Sequence, residues 1–468
     1  MRMKSPDNLS NTKKLNETNK TLQHHRLALI TLCLAVLVAQ IDTAIINLAT
    51  HSIARDLNIG VSTLQWIIDS YNLVYAIFLL TGGLLADLYG RRFIFMIGAA
   101  IFTIASLICA AAPSAFILII GRSLAGFGAA LFIPASLAII RVTWLEPAKR
   151  GHILGIWAAC NGIAFVIGPT LGGLLISYFS WRSIFIIVIP ISIAVLALAP
   201  ISIKESSDPQ GREIDGLAQI LGAFSLGFLA FAAIQFHTAP QTAIFAFTLS
   251  LIALFLFIRV EAKKGSTALI PLDIFSSSSF CGAMIATAGM TFGMYGVLFI
   301  LPLTWLSSGQ LSTSAVGIAL ISMALIFAIT SPFSSILSRY HSLRKLAIGG
   351  SAIISLGLFL ISVTANSQSI IFTEVGLILT GLGMGCATGP LMNIAISSTI
   401  AARSGTASAL INVARMFGAT IGVAILGTLF TLMNGGANGL QLAMLIGGTI
   451  QIICTIVAWK TIKNFSKV

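Results

Sequence analysis

The chain has 468 residues, of which 57% are hydrophobic and only 9% are charged. Soluble domains average about 25% charged residues, so this composition excludes a water-soluble globular protein and indicates an all-α polytopic membrane protein. The formal net charge of +13 does not indicate a nucleic-acid partner, because the basic residues lie in alternate loops between apolar runs.

Residues 1–26 are polar and basic, and they contain no apolar stretch followed by a small-residue cleavage site. We therefore expect a cytoplasmic N-terminal tail rather than a signal peptide. Basic residues recur at every second loop, whereas the intervening loops hold almost none, with Arg55 and Arg182 as exceptions. This positive-inside pattern predicts that both termini are cytoplasmic.

Apolar runs of about 20 residues, the length that crosses a bilayer core, recur from Arg26 to the C-terminus. They predict fourteen membrane-spanning helices, an even number that agrees with both termini lying on one side. The predicted spans are 27–50, 63–87, 94–112, 115–140, 152–178, 183–203, 215–236, 241–260, 280–306, 313–338, 345–364, 369–394, 404–432 and 438–460.

Two longer polar segments, 204–215 and 261–279, bracket the seventh and eighth spans. An internal echo suggests repeated halves, because GFGAALFIP at 126–134 and GLGMGCATGP at 381–390 occupy corresponding places. Repeated halves are usual in secondary transporters, with the substrate site between them near the midplane. We predict four parts: a tail at 1–26, a six-helix bundle at 27–203, a two-helix insert with flanking loops at 204–279, and a second six-helix bundle with a short tail at 280–468.

All six cysteines lie in or beside apolar runs, and the sequence has no CxxC pair or Cys/His cluster. We therefore expect no disulfide framework, no metal site and no cofactor.

A stretch of the fifth span is apolar throughout and yet rich in glycine. Residues 162–175 read GIAFVIGPTLGGLL and include Gly168, Pro169, Gly172 and Gly173. Neighbouring helices in a bilayer can satisfy the backbone groups that such residues free. The small-xxx-small pair Gly168 and Gly172 leaves one helix face as nearly bare backbone, so we expect a partner helix to pack closely there. The spacing leaves open whether this contact is static or a moving gate.

Charged residues inside the predicted spans are the main candidates for function. Each costs about 2.5–3.5 kcal/mol at the bilayer centre on insertion scales, so such residues normally face a cavity or a partner. The candidates are Asp42, Asp69, Arg122, Glu374 and Arg415. At a rise of about 1.5 Å per residue, all of them except Arg415 lie in the outer half of the membrane at similar depth.

Asp42 and Arg122 form the most promising of these combinations. Burial disfavours a charged carboxylate, whereas a neighbouring arginine favours it, so Asp42 can change protonation when Arg122 moves or a substrate intervenes. A proton that moves inwards gains about 2.3 kcal/mol per 100 mV, which can drive uphill export. The sequence also allows interpretations without a role in coupling. Asp42 can form a static ion pair, and Asp69 and Glu374 can lie at solvated positions near the interface. Arg415 can bridge main-chain carbonyls.

The loop after the second span carries Gly83, Asp87, Gly90, Arg91 and Arg92. The arginines fit positive-inside anchors, and Asp87 could also pair with a basic side chain or with the positive N-terminus of another helix, latching the cytoplasmic face. Aromatic residues are weaker candidates for lining a cavity, since at helical spacing they are more often core or lipid-facing: Tyr71, Tyr75, Trp157, Phe292, Tyr295 and Trp305.

Several of these motifs carry a resemblance to a known family. The motifs are Gly83-x-Leu85-Ala86-Asp87-x-x-Gly90-Arg91-Arg92, Arg122-x-x-x-Gly126-x-Gly128 with Ala125 in place of the usual glutamine, Gly168-Pro169-x-x-Gly172-Gly173 and the stretch from Ile41 to Asn47. Further matches lie at 66–71, which includes Tyr71, and at 404–418, which includes Asn412 and Arg415. The chain resembles the fourteen-helix drug:proton antiporter family of the major facilitator superfamily over nearly its whole length.

The resemblance implies a major facilitator fold that exports small amphipathic drugs or toxic compounds in exchange for protons, by rocking two six-helix bundles in the inner or plasma membrane. It implies that Asp42 and Arg122 couple protons, with Asp69 and Glu374 as further candidates. The helix-five motif would seal the inward state, and the Asp87 loop would act as a conformational latch. A monomer is the expected state. Ser338 replaces the aspartate of the corresponding second loop, which weakens any symmetric latch.

Two other functions fit the same scaffold. One is export of a single metabolite, peptide or siderophore, because only the cavity would differ. The other is a non-transporting membrane sensor, which the shortness of the soluble segments disfavours. The sequence has no GxxxxGK[ST] loop, and no nucleophile–His–acid set stands out, so neither an ATP-driven pump nor an enzyme is expected.

Overall fold

The computed structural model describes residues 6–208, 215–264, 270, 272–338, 340–367, 369–399 and 403–463. Within these residues, fourteen helices are long and apolar enough to cross a membrane, which confirms the predicted number. They are α1 (Pro6–Leu57), α2 (Val61–Tyr89), α3 (Arg91–Ala111), α4 (Ala115–Thr143), α5 (Pro147–Tyr178), α6 (Ser183–Ser202), α7 (Gly216–Gln235), α8 (Pro240–Lys264), α9 (Ser278–Ser307), α10 (Thr313–Leu337), α11 (Leu343–Thr364), α12 (Ile370–Ser397), α13 (Ser404–Leu432) and α14 (Gly436–Thr461).

The largest differences from the predicted spans lie in α1 and α6. Helix α1 extends well beyond the predicted span 27–50, because no glycine or proline follows Pro6 before the helix ends at Leu57. Helix α6 is interrupted at Ile187. The cause is Pro190, which has no N–H to donate to the carbonyl of Ile186.

Helices α1–α6, here the N half, and α9–α14, here the C half, show the same pattern of neighbours. In the N half, α1 packs on α5 and α6, α4 packs on α2 and α3, and α3 also packs on α6. In the C half, α9 packs on α13 and α14, α12 packs on α10 and α11, and α11 also packs on α14. Each contact therefore recurs eight helices later, as expected of an internal repeat.

The two halves meet along two seams that the same repeat relates, with α2 against α13 and α5 against α10. At the first seam, Gln65 Nε2 of α2 donates to the carbonyls of Val423 (2.9 Å) and Ala424 (2.8 Å) of α13. A buried side-chain amide that bonds main-chain carbonyls of another helix satisfies its own donors without water. Gln65 therefore joins the halves at the end of the bundle where α2 begins.

The insert, α7 with α8, covers the seam between α2 and α13. Of its two helices, α7 packs on both α2 and α13. Gln219 of α7 donates to the Ile77 carbonyl (2.5 Å) and accepts from the Thr81 hydroxyl, both on α2. On the other side, the Thr428 hydroxyl of α13 donates to the Ala233 carbonyl of α7 (2.9 Å). One helix of the insert is thus bonded to both halves.

Asp215 fixes the start of the insert. Its carboxylate accepts from the Ala218 amide (3.0 Å), as an N-cap, and from Lys264 Nζ (2.8 Å) at the end of α8. Although burial opposes the charged form, the lysine and the amide together hold the pKa of Asp215 below its usual value of 3.8.

We expect Asp215→Ala to lower the free energy of unfolding by about 1 kcal/mol, the typical loss for an N-cap. A lowered folded-state pKa means that the contribution is complete above the usual value of 3.8 and is lost as pH falls below it. Thermal unfolding followed by tryptophan fluorescence should show the wild-type and variant curves converging in acid. Asp215→Asn, which keeps an acceptor oxygen, is the control and should lose less. Curves that stay equally separated at all pH values would contradict the assignment.

Candidate functional site

The structure brings Asp42 and Arg122 together inside the N half. Arg122 Nη1 of α4 lies 2.5 Å from Asp42 Oδ2 of α1, and each side chain is only 1% exposed. Two charges removed from water in this way are accommodated because each satisfies the other, and the removal of one would leave an uncompensated buried charge. The pair is therefore sensitive to any change in the charge of either member.

Helix α2 also contacts Arg122, in addition to α1 and its own helix α4. The Arg122 guanidinium carbon lies 4.5 Å from the centroid of the Tyr71 ring, and Arg122 Nε donates to the Ile67 carbonyl (3.4 Å). The close approach depends on Gly126, since a Cβ there would overlap the Tyr71 main chain. The glycine-rich sequence of α4 thus brings α2 onto the ion pair.

Asp69 is a second buried acid, but it is unpartnered. It is 0% exposed, and neither carboxylate oxygen has a hydrogen-bond partner among the described residues. Asp69 lies one turn beyond Gln65 on α2, while Thr420, whose buried hydroxyl is also unpartnered, lies one turn before Ala424 on the antiparallel α13. Asp69 is thus placed at the seam between the halves, where burial of an unpaired anion is costly.

The other predicted polar residues lie apart from the ion pair. Glu374 is half-buried on α12 in the C half, and the contacts of Asp42 and Arg122 do not include it. Asn47 and Asn412 each donate to a carbonyl one turn back in their own helix (3.4 and 3.0 Å). In the described part of the chain, no three His, Cys, Asp or Glu side chains lie close enough together to hold a metal ion.

The bare face of the α5 motif packs against α1. A Cβ added to Gly168 would lie 2.8 Å from the Ala44 Cβ, and one added to Gly172 would overlap the Ile45 side chain. Ala44 and Ile45 come two and three residues after Asp42. The small residues of α5 therefore hold the segment of α1 that carries the buried acid.

A second face of the same motif meets α10 of the other half. A Cβ on Gly173 would lie 3.2 Å from the Ser314 Cα, and one on Gly317 would lie 2.6 Å from the Pro169 carbonyl oxygen. Two helices from opposite halves are here in backbone contact. At the other end of α5, the Cβ position of Gly155 has no heavy atom within 4 Å.

Asp87 of the loop motif pairs with a basic side chain of its own half. Its Oδ1 accepts from Arg91 Nη2 (2.8 Å) and Nε (3.0 Å), and its carbonyl accepts from the Asp208 amide (2.8 Å). The Arg91 amide donates to the Ser206 carbonyl (2.9 Å). These bonds tie the loop between α2 and α3 to the segment that follows α6.

Glu205 of that segment caps α3. Its carboxylate accepts from the amides of Arg92 and Phe93 (3.0 Å each), the position where a helix N-terminus favours an anion. Gly90 has a positive φ of 112°, and its Cβ position lies 2.8 Å from the Glu205 carboxylate, so glycine suits both the turn and the approach. Gly83 has only ordinary packing against α4.

Asp56, at the end of α1 and away from the buried ion pair, forms a polar cluster that the sequence did not predict. It accepts from Trp181 Nε1 (2.8 Å) and from Arg182 Nη1 (2.7 Å), and Arg182 also donates to the Ala112 carbonyl (3.1 Å). Arg182 was an exception to the charge pattern, and that exception was the available signal. This cluster joins the ends of α1 and α3 to the start of α6.

Across the ranges that the structure describes, Arg415 does not bridge main-chain carbonyls, which was one of its expected arrangements. Its main-chain carbonyl accepts from the Thr291 hydroxyl (2.8 Å), but its guanidinium donates to no carbonyl of the described residues. Bridging of carbonyls is therefore not how Arg415 is accommodated in this structure. Of the aromatic candidates, Tyr71, Tyr75, Phe292, Tyr295 and Trp305 are buried, and Trp157 is half-buried.

Twelve apolar helices in two repeated halves, two more in the insert, and an ion pair buried inside the N half define a multi-pass membrane protein with a transporter architecture. The family model of the Major Facilitator Superfamily matches residues 32–423. The chain belongs to this superfamily, as the sequence motifs indicated.

Relatives and solved structures agree with this assignment. The chain is 30% identical over 440 residues to the methylenomycin A resistance protein of Bacillus subtilis, covering 92% of this chain and 93% of the relative. It is 32% identical to the multidrug resistance protein Stp of Mycobacterium tuberculosis, covering 86% and 75%. The fold is similar to that of a POT family transporter (TM-score 0.71, 14% identity, 92% and 94% covered) and to the xylose transporter XylE from E. coli (0.67, 16%, 95% and 100%).

Proposed function

We propose that this protein exports amphipathic drugs or other toxic small molecules in exchange for protons, by alternating access in the inner or plasma membrane. The observation that carries the proposal is the fully buried Asp42–Arg122 pair. The names of the relatives, which describe drug and antibiotic resistance, support the substrate class and the direction of transport.

The ion pair supports proton coupling because protonation of Asp42 removes the charge that Arg122 neutralises. Arg122 is then left with the Ile67 carbonyl and the face of the Tyr71 ring, both on α2. A shift of Arg122 towards these groups would move α4 and α2 relative to α1. Asp69, on the α2 face that meets α13, is a candidate for a second proton-binding acid. Glu374 is a further candidate for proton binding, in the C half.

The basic loops support a cytoplasmic location for the end of the bundle that carries Arg91 and Lys460, together with both termini. On this assignment the contacts of Gly173 and Gln65 close the outer face, and the unobstructed Gly155 lies towards the cytoplasm. The α5 motif then serves as the outer seal of the inward state. The Asp87–Arg91 pair lies within the N half, and the Asp87 loop serves as the conformational latch of the cytoplasmic face.

The closest alternative is export of one specific compound on the same scaffold. It is favoured by the relative named for resistance to a single antibiotic, methylenomycin A. A tolerance screen of cells that overexpress the protein, over structurally unrelated toxic compounds, separates the two. Tolerance to several unrelated compounds supports broad export, and tolerance to one supports a dedicated exporter.

Proton coupling is tested by the efflux of preloaded ethidium from energised cells. We expect a protonophore to stop efflux while cellular ATP is held constant, because the proton gradient supplies about 2.3 kcal/mol per 100 mV for each proton. Cells that carry the empty vector give the background rate. Efflux above background that continues unchanged after the gradient collapses would contradict the proposal.

A further inference from the structure

Arg415 is a half-buried cation with no counter-ion among the described residues. Its Nε is inaccessible to solvent and unpartnered, and the ion pairs of the described residues do not include it. It lies 11 residues into α13, a depth of roughly 16 Å at the usual rise per residue, which is close to the middle of a bilayer core. An unpaired guanidinium at that depth is costly and calls for a partner.

The surroundings of Arg415 come from both halves. The Thr291 hydroxyl of α9 donates to the Arg415 carbonyl (2.8 Å), and Tyr295 lies one turn further along α9. Tyr295 and Tyr75 of α2 both lie near the Arg415 guanidinium. The two tyrosines are buried, and no hydrogen bond of the described residues uses either hydroxyl. A guanidinium of the C half and tyrosine hydroxyls of both halves therefore lie near one another between the halves, where transporters of this architecture hold their cargo.

Among the residues that the structure describes, no acid forms an ion pair with Arg415. Asp42 is already paired with Arg122. Asp69 has no hydrogen-bond partner and lies six residues before Tyr75 on α2, about 9 Å along the helix axis. Arg415 is half-buried, so part of the residue remains accessible to a small molecule.

We infer that Arg415, with Tyr75 and Tyr295, binds an acidic group, such as a carboxylate, on an otherwise apolar substrate. The inference rests on the proposed export function and adds amphipathic acids to its substrates, beside cations such as ethidium. The guanidinium presents a planar set of donors that matches a carboxylate in two parallel hydrogen bonds. The rings of Tyr75 and Tyr295 supply apolar surface beside the guanidinium for the body of the molecule.

The test uses two fluorescent ligands that share a ring and a chain and differ in one group, 1-pyrenebutyrate and 1-pyrenebutanol. Binding to the full-length protein in lipid nanodiscs is measured by anisotropy, with empty nanodiscs as the blank. We expect the wild type to bind the carboxylate at least about tenfold more tightly than the alcohol, the gain typical of hydrogen bonds to a charged group. Arg415→Gln should lose this preference, and Arg415→Lys should keep part of it.

Arg141→Gln, at an exposed position of α4, is the matched control and should keep the wild-type preference. Tyr295→Phe should weaken binding of the carboxylate severalfold, since it removes one donor only. Equal binding of both ligands by the wild type, or an Arg415→Gln variant that weakens both equally, would overturn the inference. Protonophore-sensitive ethidium efflux is measured on the same protein, so a failure here is distinguished from a failure of the proposed function.

Discussion

Asp42→Asn should abolish uphill export while leaving the protein inserted in the membrane. Asparagine has the shape of aspartate and keeps an oxygen that can accept from Arg122, but it cannot bind and release a proton. Without proton coupling, export loses a driving force of about 2.3 kcal/mol per 100 mV for each proton. At about 1.36 kcal/mol per tenfold, the largest substrate gradient that the variant can build is roughly fiftyfold smaller. The measurement is steady-state ethidium accumulation in cells, at matched protein levels in the membrane.

Asp56→Asn is the control for this experiment, because it makes the same substitution on the same helix. Asp56 pairs with Arg182 at the end of α1, where its carboxylate is well exposed. Exposed ion pairs contribute about 0–1 kcal/mol, so this variant should export within about twofold of the wild type. Full uphill export by Asp42→Asn would show that another group carries the proton, and Asp69 would be the first to examine.

Gly317→Val should impair export by preventing the two halves from meeting at the predicted outer end. A Cβ at this position lies 2.6 Å from the Pro169 carbonyl oxygen, and valine adds two further methyl groups. Overpacking of this kind costs about 1–3 kcal/mol. The cost destabilises only the state in which α5 and α10 are in contact. The equilibrium should shift about 5- to 150-fold away from that state, with slower export and weaker binding from the cytoplasm.

Gly349→Val supplies the matched control, since the Cβ position of Gly349 on α11 has no heavy atom within 4 Å. It should export at the wild-type rate. The shift in the conformational equilibrium is measured with an added Ser314→Cys substitution. This cysteine should react faster with an impermeant maleimide in the Gly317→Val variant than in the wild-type background. Equal labelling and equal export in the two glycine variants would show that this contact does not govern access.

The sequence predicted the architecture well because a bilayer restricts it so strongly. Every spanning segment must satisfy its own backbone, so length and hydropathy suffice to count helices. The depth of a residue follows from its place along a helix, which is why Asp42 and Arg122 were expected at one level. Their contact also required α1 and α4 to lie side by side, and that depends on tertiary packing.

Contacts between distant segments were not predictable in the same way. Gln65 is one polar residue in an apolar helix, and nothing local indicates that it bonds carbonyls some 358 residues away. Glu205 looks like an ordinary loop acid until the fold brings it to the N-terminus of α3. The position of Arg415 along α13 was clear, but its unpaired state became visible only when every neighbouring helix was in place.

The central claim is that protons move through Asp42 in exchange for substrate. It is tested most directly in proteoliposomes with an imposed pH gradient, by following the gradient with a quenched dye when ethidium is added. The account predicts that ethidium dissipates the gradient with the wild-type protein and has no effect with Asp42→Asn. Equal dissipation by both proteins would contradict it.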